Sequence, residues 1–278
     1  MKSSIIIFII FSYYAVVAEW QTRCLQAAVG NTVRVQLPPT APYVVMDDTL
    51  IETLTQWNIT SVLPLQVGDF QLSTEYTMIQ DDGEDVEYDI FRYLNKTNGW
   101  SVRALYNPGS GEFSVRTDIG MLEFALIEFI TEDWNQFKHT VETRLARIVT
   151  DYYVDVSRNF SVMLRQKGLP DVQWDSFLPA EYKGLKRLIR PNEAVRIING
   201  SYMILSYYDA QTQSGLSLMY NVLRDDFFAE RRIHNFPNLV HDFDCNEVKM
   251  LQRSLEHRLR PVLDDIAADM QKPLPEGD

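Results

Sequence analysis

Residues 70–117 read FQLSTEYTMIQDDGEDVEYDIFRYLNKTNGWSVRALYNPGSGEFSVRT, and this stretch decides the fold that the sequence predicts. Three turn signals divide it, at Asp82-Gly83, Asn98-Gly99 and Asn107-Pro108-Gly109. Residues of these types occupy the tight turns that join antiparallel strands. Because the turns follow one another at near-regular spacing, we predict an antiparallel β-meander with strands at 70–79, 86–94, 100–106 and 113–117.

A helical pattern replaces the strand pattern after Asp118. Apolar residues then recur every three or four positions, which is the spacing of a buried helix face: Trp134, Phe137, Val141, Leu145, Ile148, Tyr152 and Val156. We predict one long spine helix that ends by Lys167, because Gly168 and Pro170 follow it. The apolar stretch 119–130 fits either a buried helix or a strand.

We interpret the rest of the chain as helical, with helices at 180–189, 192–208, 214–233 and 247–270. The last of them repeats the apolar stripe and contains Pro261, which predicts a kink. The fold class that follows is α+β: an N-terminal antiparallel β-meander (19–117) packed against a mostly helical C-terminal half (118–278). We favour one continuous domain, 19–278, over two separate domains.

The first 18 residues have the order of a secretory signal peptide. Lys2 supplies the positive end, and residues 5–17 are mostly apolar. Val16 and Ala18 are the small residues at positions −3 and −1 of the expected cleavage before Glu19. The apolar run of about 13 residues is shorter than the roughly 20 that a membrane-spanning helix needs. We therefore expect a secreted, extracellular protein with no transmembrane anchor.

If the chain is secreted, its Asn-X-Ser/Thr sequons are candidates for N-glycosylation. The sequence contains four of them, at Asn58, Asn95, Asn159 and Asn199. Each is a candidate glycosylation site. Asn95 is the favoured one because it lies in the turn-rich segment NKTNG, whereas Asn159 and Asn199 fall in predicted helices.

Cys24 and Cys245 are the only cysteines in the chain. In a secreted protein, two cysteines most simply form one disulfide. The alternative is a zinc site in which Cys245 joins His234, His241 and a nearby aspartate. Because Pro237 interrupts that stretch and no tight metal-binding spacing is present, we predict the disulfide and no metal or cofactor.

The chain of 278 residues carries 26 Lys and Arg against 38 Asp and Glu, which gives a net charge of −12. This acidic balance argues against a nucleic-acid partner, since affinity for nucleic acids depends on neutralising phosphates. With 46% hydrophobic and 23% charged residues, the chain can bury a core, which excludes intrinsic disorder.

Lys183, Lys186, Arg187 and Arg190 are the most specific binding signal in the sequence. Their spacing places all four on one face of a helix, where they either bind an anionic group or balance nearby acids. A second candidate is the aromatic-rich stretch 182–228, which either lines a pocket for an apolar ligand or fills the core. The acidic run 81–89 is either a solvated hairpin or a calcium site.

No motif for nucleophilic catalysis or phosphate binding occurs in the sequence. We therefore predict a glycoprotein that binds an extracellular protein, an anionic glycan or an apolar ligand without catalysis. The alternative is a secreted hydrolase of unfamiliar type that uses carboxylates. Glu123 and Glu128 are its candidates, because they lie in an apolar run and apolar surroundings raise the pKa of a carboxyl group.

Overall fold

Two antiparallel β-sheets make up most of the structure, a computed structural model that describes residues 48–272 except 75–76, 81–85, 157–159 and 198–199. Within the described residues, each sheet has seven strands. All of these residues belong to one compact unit, Val44–Asp278.

The first sheet contains the predicted meander and follows two short helices, α1 (Asp48–Gln56) and α2 (Ile59–Val62). Its strands are β1 (Gln66–Val67), β2 (Phe70–Ser73), β3 (Thr77–Gln80), β4 (Val86–Asn95), β5 (Ser101–Asn107), β6 (Glu112–Asp118) and β7 (Glu123–Ala125). They lie in the order β1-β2-β4-β5-β6-β7, and β3 also pairs with β4. Two strands, β2 and β3, replace the single strand predicted at 70–79, and they pair with opposite ends of β4.

A long helix, α3, follows the first sheet in four consecutive segments. Two are α-helical, Trp134–Thr140 and Ala146–Val149, and each is followed by a π-helical segment, Val141–Leu145 and Thr150–Val154. The predicted length is wrong, because α3 ends at Val154 rather than near Lys167. A separate helix, α4 (Val162–Gln166), occupies the end of the predicted range.

The predicted apolar stripe of α3 faces the first sheet. Phe137, Val141 and Leu145 have no exposed surface, and the rings of Phe137 and Phe113 on β6 stack with centroids 5.2 Å apart. Asp133 caps the helix, since its carboxylate accepts hydrogen bonds from two free backbone N–H groups of the first turn. Sheet and helix together enclose the first hydrophobic core.

The second sheet overturns the prediction of a mostly helical C-terminal half. Its strands are β8 (Glu181–Tyr182), β9 (Leu185–Ile189), β10 (Val195–Arg196), β11 (Ser201–Asp209), β12 (Ser214–Asn221), β13 (Asp226–Ile233) and β14 (Phe236–Cys245). They lie in the order β14-β13-β12-β11-β9-β8, and β10 also pairs with β11. The helices predicted at 180–189, 192–208 and 214–233 are therefore wrong.

Burial on both faces explains why these strands resemble helices in the sequence. Six of the nine residues of β11 and seven of the eight residues of β12 are buried, most of them consecutively, so the alternation that marks a half-exposed strand is lost. The turns between the strands indicate the β-structure instead. Asp209 Oδ2 accepts a hydrogen bond from Thr212 N (2.9 Å), and Asn221 Oδ1 accepts one from Leu223 N (2.9 Å). Turns of this type reverse the chain between neighbouring strands.

The final helix, α5 (Val248–Asp269), packs against the second sheet and confirms the helix predicted at the end of the chain. Every member of its predicted apolar stripe is buried, from Val248 to Met270. Sheet and helix enclose a second hydrophobic core, separate from the first. No helix in the described part of the chain is long and apolar enough to cross a membrane.

Candidate functional site

One cavity, of about 240 Å³, lies where the first sheet, the end of α3 and the β9–β10 segment meet. Three aromatic side chains belong to its wall: Phe70, Trp100 and Tyr153. The other lining residues are Asp69, Asn95, Asn98, Val154, Val156, Leu188, Ile189, Glu193 and Val195. The wall is thus assembled from segments as far apart in the sequence as residues 69 and 195.

The β1–β2 turn forms one side of the cavity mouth. Val67 pairs with Phe70 across this two-residue turn, and Gly68 adopts a φ of +55°, in the left-handed region. A Cβ atom on Gly68 would lie 2.5 Å from Cγ1 of Val154. Only glycine therefore allows this turn to approach α3 so closely, and the approach places Asp69 at the mouth.

The β4–β5 turn forms a second side and is held by hydrogen bonds at both ends. The backbone N–H of Asn95 donates to Trp100 O, and that of Gly99 donates to Asn95 O, both at 2.8 Å. Asn98 Oδ1 accepts a hydrogen bond from the backbone N–H of Trp100 at 2.9 Å. These hydrogen bonds fix the position of the Trp100 backbone.

Trp100 is the least satisfied polar side chain of the cavity wall. Its side chain is buried, with 5% of the residue exposed, and its indole Nε1–H has no hydrogen-bond partner among the described residues. Trp57 and Trp174 differ, since they donate to Glu142 Oε1 (2.9 Å) and Leu169 O (2.7 Å). A buried donor without an acceptor costs about 1–3 kcal/mol.

The second π-helical segment of α3 supplies the third side. Tyr153 is buried there and its hydroxyl donates to Thr117 Oγ1 at 3.2 Å, so this polar group is already satisfied. Burial raises the pKa of Tyr153, which therefore stays neutral. π-Helical turns are rare and frequently occur at functional sites. Here the turn brings Tyr153 and Val154 to the cavity.

The charges at the cavity are negative. Asp69 and Glu193 are exposed members of the lining, and no Lys, Arg or His among the described residues belongs to it. Glu193 is bonded to Arg190, whereas Asp69 has no ion-pair partner among the described residues. Asp69 is therefore the unbalanced charge at the mouth.

The four basic residues predicted as a binding face do not lie on a helix. Lys183 occupies the β8–β9 turn with a φ of 49°, and Lys186 and Arg187 are consecutive residues of β9. Consecutive residues of a strand point to opposite faces. The helical geometry on which the predicted face depended is therefore wrong.

Three of these four side chains are already paired with carboxylates. Lys183 Nζ lies 2.6 Å from Asp264 Oδ1, and Arg187 Nη2 lies 2.7 Å from Asp175 Oδ1. Arg190 lies near the other oxygen of Asp175, at 3.9 Å. These contacts fit the interpretation in which the basic residues balance nearby acids.

Glu123 and Glu128, the candidates for acid catalysis, do not line the cavity. Glu123 forms an ion pair with Arg103, which also contacts buried Asp89. Glu128 is exposed in a short 3₁₀ helix, Ile127–Phe129. Neither carboxylate lies in the apolar surroundings that the sequence predicted for it.

Most of the aromatic residues of the stretch 182–228 pack in the second core rather than in the cavity wall. Tyr207, Tyr220 and Phe227 are fully buried in that core. The described residues that the stretch contributes to the cavity wall are not aromatic: Leu188, Ile189, Glu193 and Val195. Sequence reasoning missed Trp100, although one signal pointed to it. A tryptophan directly after an Asn-Gly turn lies at the end of a hairpin, where strand residues reach a sheet edge.

Only some of the predicted glycosylation sites and cysteines lie among the described residues. Asn58 is exposed before α2, and Asn95 is buried at the cavity. Asn159, Asn199 and Cys24 lie outside the described residues, as does most of the acidic run at 81–85. Cys245 is a half-buried free thiol at the end of β14, and the disulfide with Cys24 stays a prediction.

Comparison with known proteins gave no match: no family model, curated protein or solved structure is similar to this chain. The cavity and its chemistry are therefore the basis on which a function can be proposed.

Proposed function

We propose that this protein is secreted and acts by binding a small ligand in the Trp100 cavity, without catalysis. One observation carries the proposal: a cavity of about 240 Å³ is lined by residues from separate segments of the chain, and aromatic side chains lie there beside the exposed carboxylates of Asp69 and Glu193. The sequence suggested the aromatic-rich stretch 182–228 as one possible ligand pocket. The proposal places the ligand site instead at the residues that line the Trp100 cavity.

The size of the cavity limits the ligand. A cavity of roughly 150 Å³ accommodates benzene, so a cavity of about 240 Å³ takes on the order of ten non-hydrogen atoms. Aromatic and aliphatic walls with a few polar groups are typical of sites for small organic molecules. Polar atoms supply most of the accessible surface of this wall, so a ligand of this size carries polar groups as well as an apolar part.

The indole N–H signals of the protein test this function. In a ¹⁵N–¹H spectrum, Trp100→Phe identifies the Trp100 signal by its loss, and Trp174→Phe does the same for a tryptophan whose N–H is already bonded. A fragment library of about ten-atom molecules is then added. We expect binding fragments to shift the Trp100 signal and to leave the Trp174 signal in place. If no fragment shifts the Trp100 signal, the cavity holds only water and the proposal is wrong.

Secretion is tested separately. Expressed with its first 18 residues in a eukaryotic secretory host, the protein is expected in the medium with Glu19 as its first residue, by N-terminal sequencing. Retention of the full-length chain inside the cell would contradict the predicted signal peptide and leave the cavity proposal intact.

A further inference from the structure

We propose that the exposed face of α5 is a binding site for a sulfated polysaccharide chain. Four residues form this face, which we call the α5 basic stripe: Lys249, Arg253, His257 and Arg260. None of them lines the Trp100 cavity, so the site is additional to the proposed function. Only the choice of ligand class rests on the proposed secretion.

The stripe is linear and exposed to solvent. Its members follow one another at intervals of three or four residues, and all four are exposed. Residues at these intervals lie next to one another on one side of a helix. At a rise of about 1.5 Å per residue, the stripe from Lys249 to Arg260 is about 17 Å long.

Three cations of the stripe have no acidic partner. Among the residues that the structure describes, no carboxylate lies within ion-pair distance of Lys249, Arg253 or Arg260. The neighbouring Asp264 is already bonded to Lys183, with 2.6 Å between Oδ1 and Nζ. The stripe therefore keeps a positive charge in a chain whose net charge is −12.

One acid, Glu256, lies within the stripe in the sequence. Its Oε1 accepts a hydrogen bond from Gln252 Nε2 at 2.8 Å. On β14, Asp242 is bonded to Arg258, which is not a member of the stripe, at 3.0 Å. With His257 neutral, the stripe thus has three cations against one acid.

The order of charges along α5 is the reverse of the order that stabilises a helix. Acids near the N-terminus and bases near the C-terminus interact favourably with the helix dipole. In α5, the first turn contains Lys249 and no acid, and the last turn contains Asp269 and no base. Helix stability therefore does not explain where the cations lie, whereas contact with an anionic ligand does.

The guanidinium group of Arg260 is held against a neighbouring strand. Its Cζ lies 5.8 Å from the ring centroid of Tyr182 on β8, and the Tyr182 hydroxyl donates to Asp264 Oδ1 at 3.0 Å. A cation over an aromatic face is attracted to it. Arg260 therefore loses little freedom when it binds, and its fork of N–H donors suits an oxyanion.

The length of the stripe favours a linear polyanion. A small anion contacts one cation of the stripe at a time, whereas a chain of sulfate groups contacts all three. Single-stranded nucleic acids also use aromatic side chains on which their bases stack, and α5 contains no aromatic residue. A sulfated polysaccharide needs only the charges, and a secreted protein encounters such chains outside the cell.

Three probes test the ligand class: a heparin octasaccharide, the same octasaccharide without its sulfate groups, and an oligonucleotide of twelve thymidines. Titration calorimetry measures their affinity for the purified protein at about 50 mM and about 150 mM salt. We expect the sulfated octasaccharide to bind at least tenfold more tightly than the other two. Its affinity should fall by about tenfold between the two salt concentrations, because binding to three cations releases counterions.

A triple variant assigns the binding to the stripe. The substitutions Lys249→Gln, Arg253→Gln and Arg260→Gln remove its three cations. We expect them to weaken binding of the sulfated octasaccharide by about tenfold or more, because each exposed contact contributes up to about fivefold. The melting temperature should stay the same or rise, since the helix loses a cation from its first turn.

A second triple variant with the same change in net charge is the control. The substitutions Lys96→Gln, Arg144→Gln and Arg147→Gln remove exposed cations from the β4–β5 turn and from α3. They should change the affinity by less than about threefold, because salt screens charges that do not contact the ligand. Should the first triple variant fail to fold, the backbone amide signals of residues 249–260 in the unaltered protein decide, since the sulfated octasaccharide is expected to shift them.

The outcomes separate this inference from the proposed function. Equally tight binding of the desulfated octasaccharide or of the oligonucleotide overturns the ligand class. An equal loss of affinity in the two triple variants overturns the stripe as the site, and failure of the sulfated octasaccharide to bind at low salt overturns the whole inference. None of these results bears on the Trp100 cavity, because its indole signal is measured separately.

Discussion

At the scale of single residues, burial separates two sequons that look alike in the sequence. Asn58 is exposed, whereas Asn95 is only 6% exposed. Its Oδ1 accepts a hydrogen bond from the backbone N–H of Thr97 at 2.9 Å. A glycan attached to Asn95 would have to leave through the cavity, whose wall includes this residue.

We therefore predict that secreted protein carries a glycan on Asn58 and none on Asn95. Peptide mapping after enzymatic deglycosylation in heavy-oxygen water measures the occupancy of each site. Asn58→Gln should remove the glycan and its mass, while Asn95→Gln should leave the mass of the glycan unchanged. Full occupancy of Asn95 would contradict the burial of this side chain.

Asp118 gives the structure a pH-dependent contribution. Burial raises the pKa of its carboxyl group, Glu123 raises it further, and the hydrogen bond from the N–H of Gly120 opposes both. Because the pKa is higher in the folded than in the unfolded state, the protonated form stabilises the fold. This contribution is complete below the unfolded pKa of about 3.9 and is lost as the pH rises through the folded pKa.

Asp118→Asn is therefore expected to raise the melting temperature at pH 7 and to change it little at pH 3. The amide keeps an oxygen that accepts a hydrogen bond from the N–H of Gly120, and it removes the half-buried charge. Thermal unfolding at both pH values checks this, with Asp171→Asn, an exposed acid, as the control. An equal rise at both pH values would show that the charge is not the cause.

At the scale of elements, the stripe of α3 depends on close packing against the first sheet. Leu145 is fully buried although it lies in a π-helical segment. We predict that Leu145→Ala lowers the free energy of unfolding by about 3 kcal/mol, because it removes buried methyl groups and leaves a cavity. Arg147→Ala, on the exposed side of the same helix, should cost less than about 0.5 kcal/mol. Urea unfolding compares the two, and similar losses would mean that this face is not packed as described.

Local signals explain which elements the sequence could predict. The turns of the first sheet and the stripes of α3 and α5 are patterns within about 20 residues of chain, so they could be read directly. The strands β11 and β12 lack alternation because both of their faces are buried. The predicted end of α3 is wrong because it was placed at the helix breakers Gly168 and Pro170, whereas the helix already ends in a π-helical turn at Val154.

The candidate site was harder to predict because no short stretch of sequence contains it. Asp69, Trp100, Tyr153 and Val195 reach one cavity from four separate segments. The basic cluster looked more specific, since its spacing is regular, but that regularity requires a helix where the chain forms the β8–β9 hairpin. Residue spacing predicts a shared face only if the segment has the assumed secondary structure. Residues that lie on one face of a helix point to different faces in a strand.

At the scale of the whole molecule, the predicted Cys24–Cys245 disulfide would join the start of the mature chain to the second sheet. Cys245 ends β14, directly before α5, and burial raises the pKa of its thiol to about 11. A bridge that closes a loop of roughly 220 residues is expected to stabilise the fold by about 5 kcal/mol. Peptide mapping of the non-reduced protein should find the two cysteines linked.

Reduction of this disulfide should lower the melting temperature, and Cys245→Ser should show the same low value with no further change on reduction. If the native, non-reduced protein has both thiols free to react with an alkylating reagent, the disulfide does not exist. The raised pKa makes alkylation of Cys245 slow at neutral pH, so the reagent has to be applied for long enough to modify a buried thiol.

The residues of the two hydrophobic cores are synthesised one core after the other. The buried residues of the first core all lie before residue 154, except Ile189, Val195 and Met203, and those of the second core all lie after residue 159. A ribosome adds about 5–20 residues per second. The roughly 40 residues from Tyr153 to Val195, which both line the cavity, therefore take several seconds to synthesise. The β9–β10 part of the cavity wall is therefore synthesised last, when most of the polypeptide has been made.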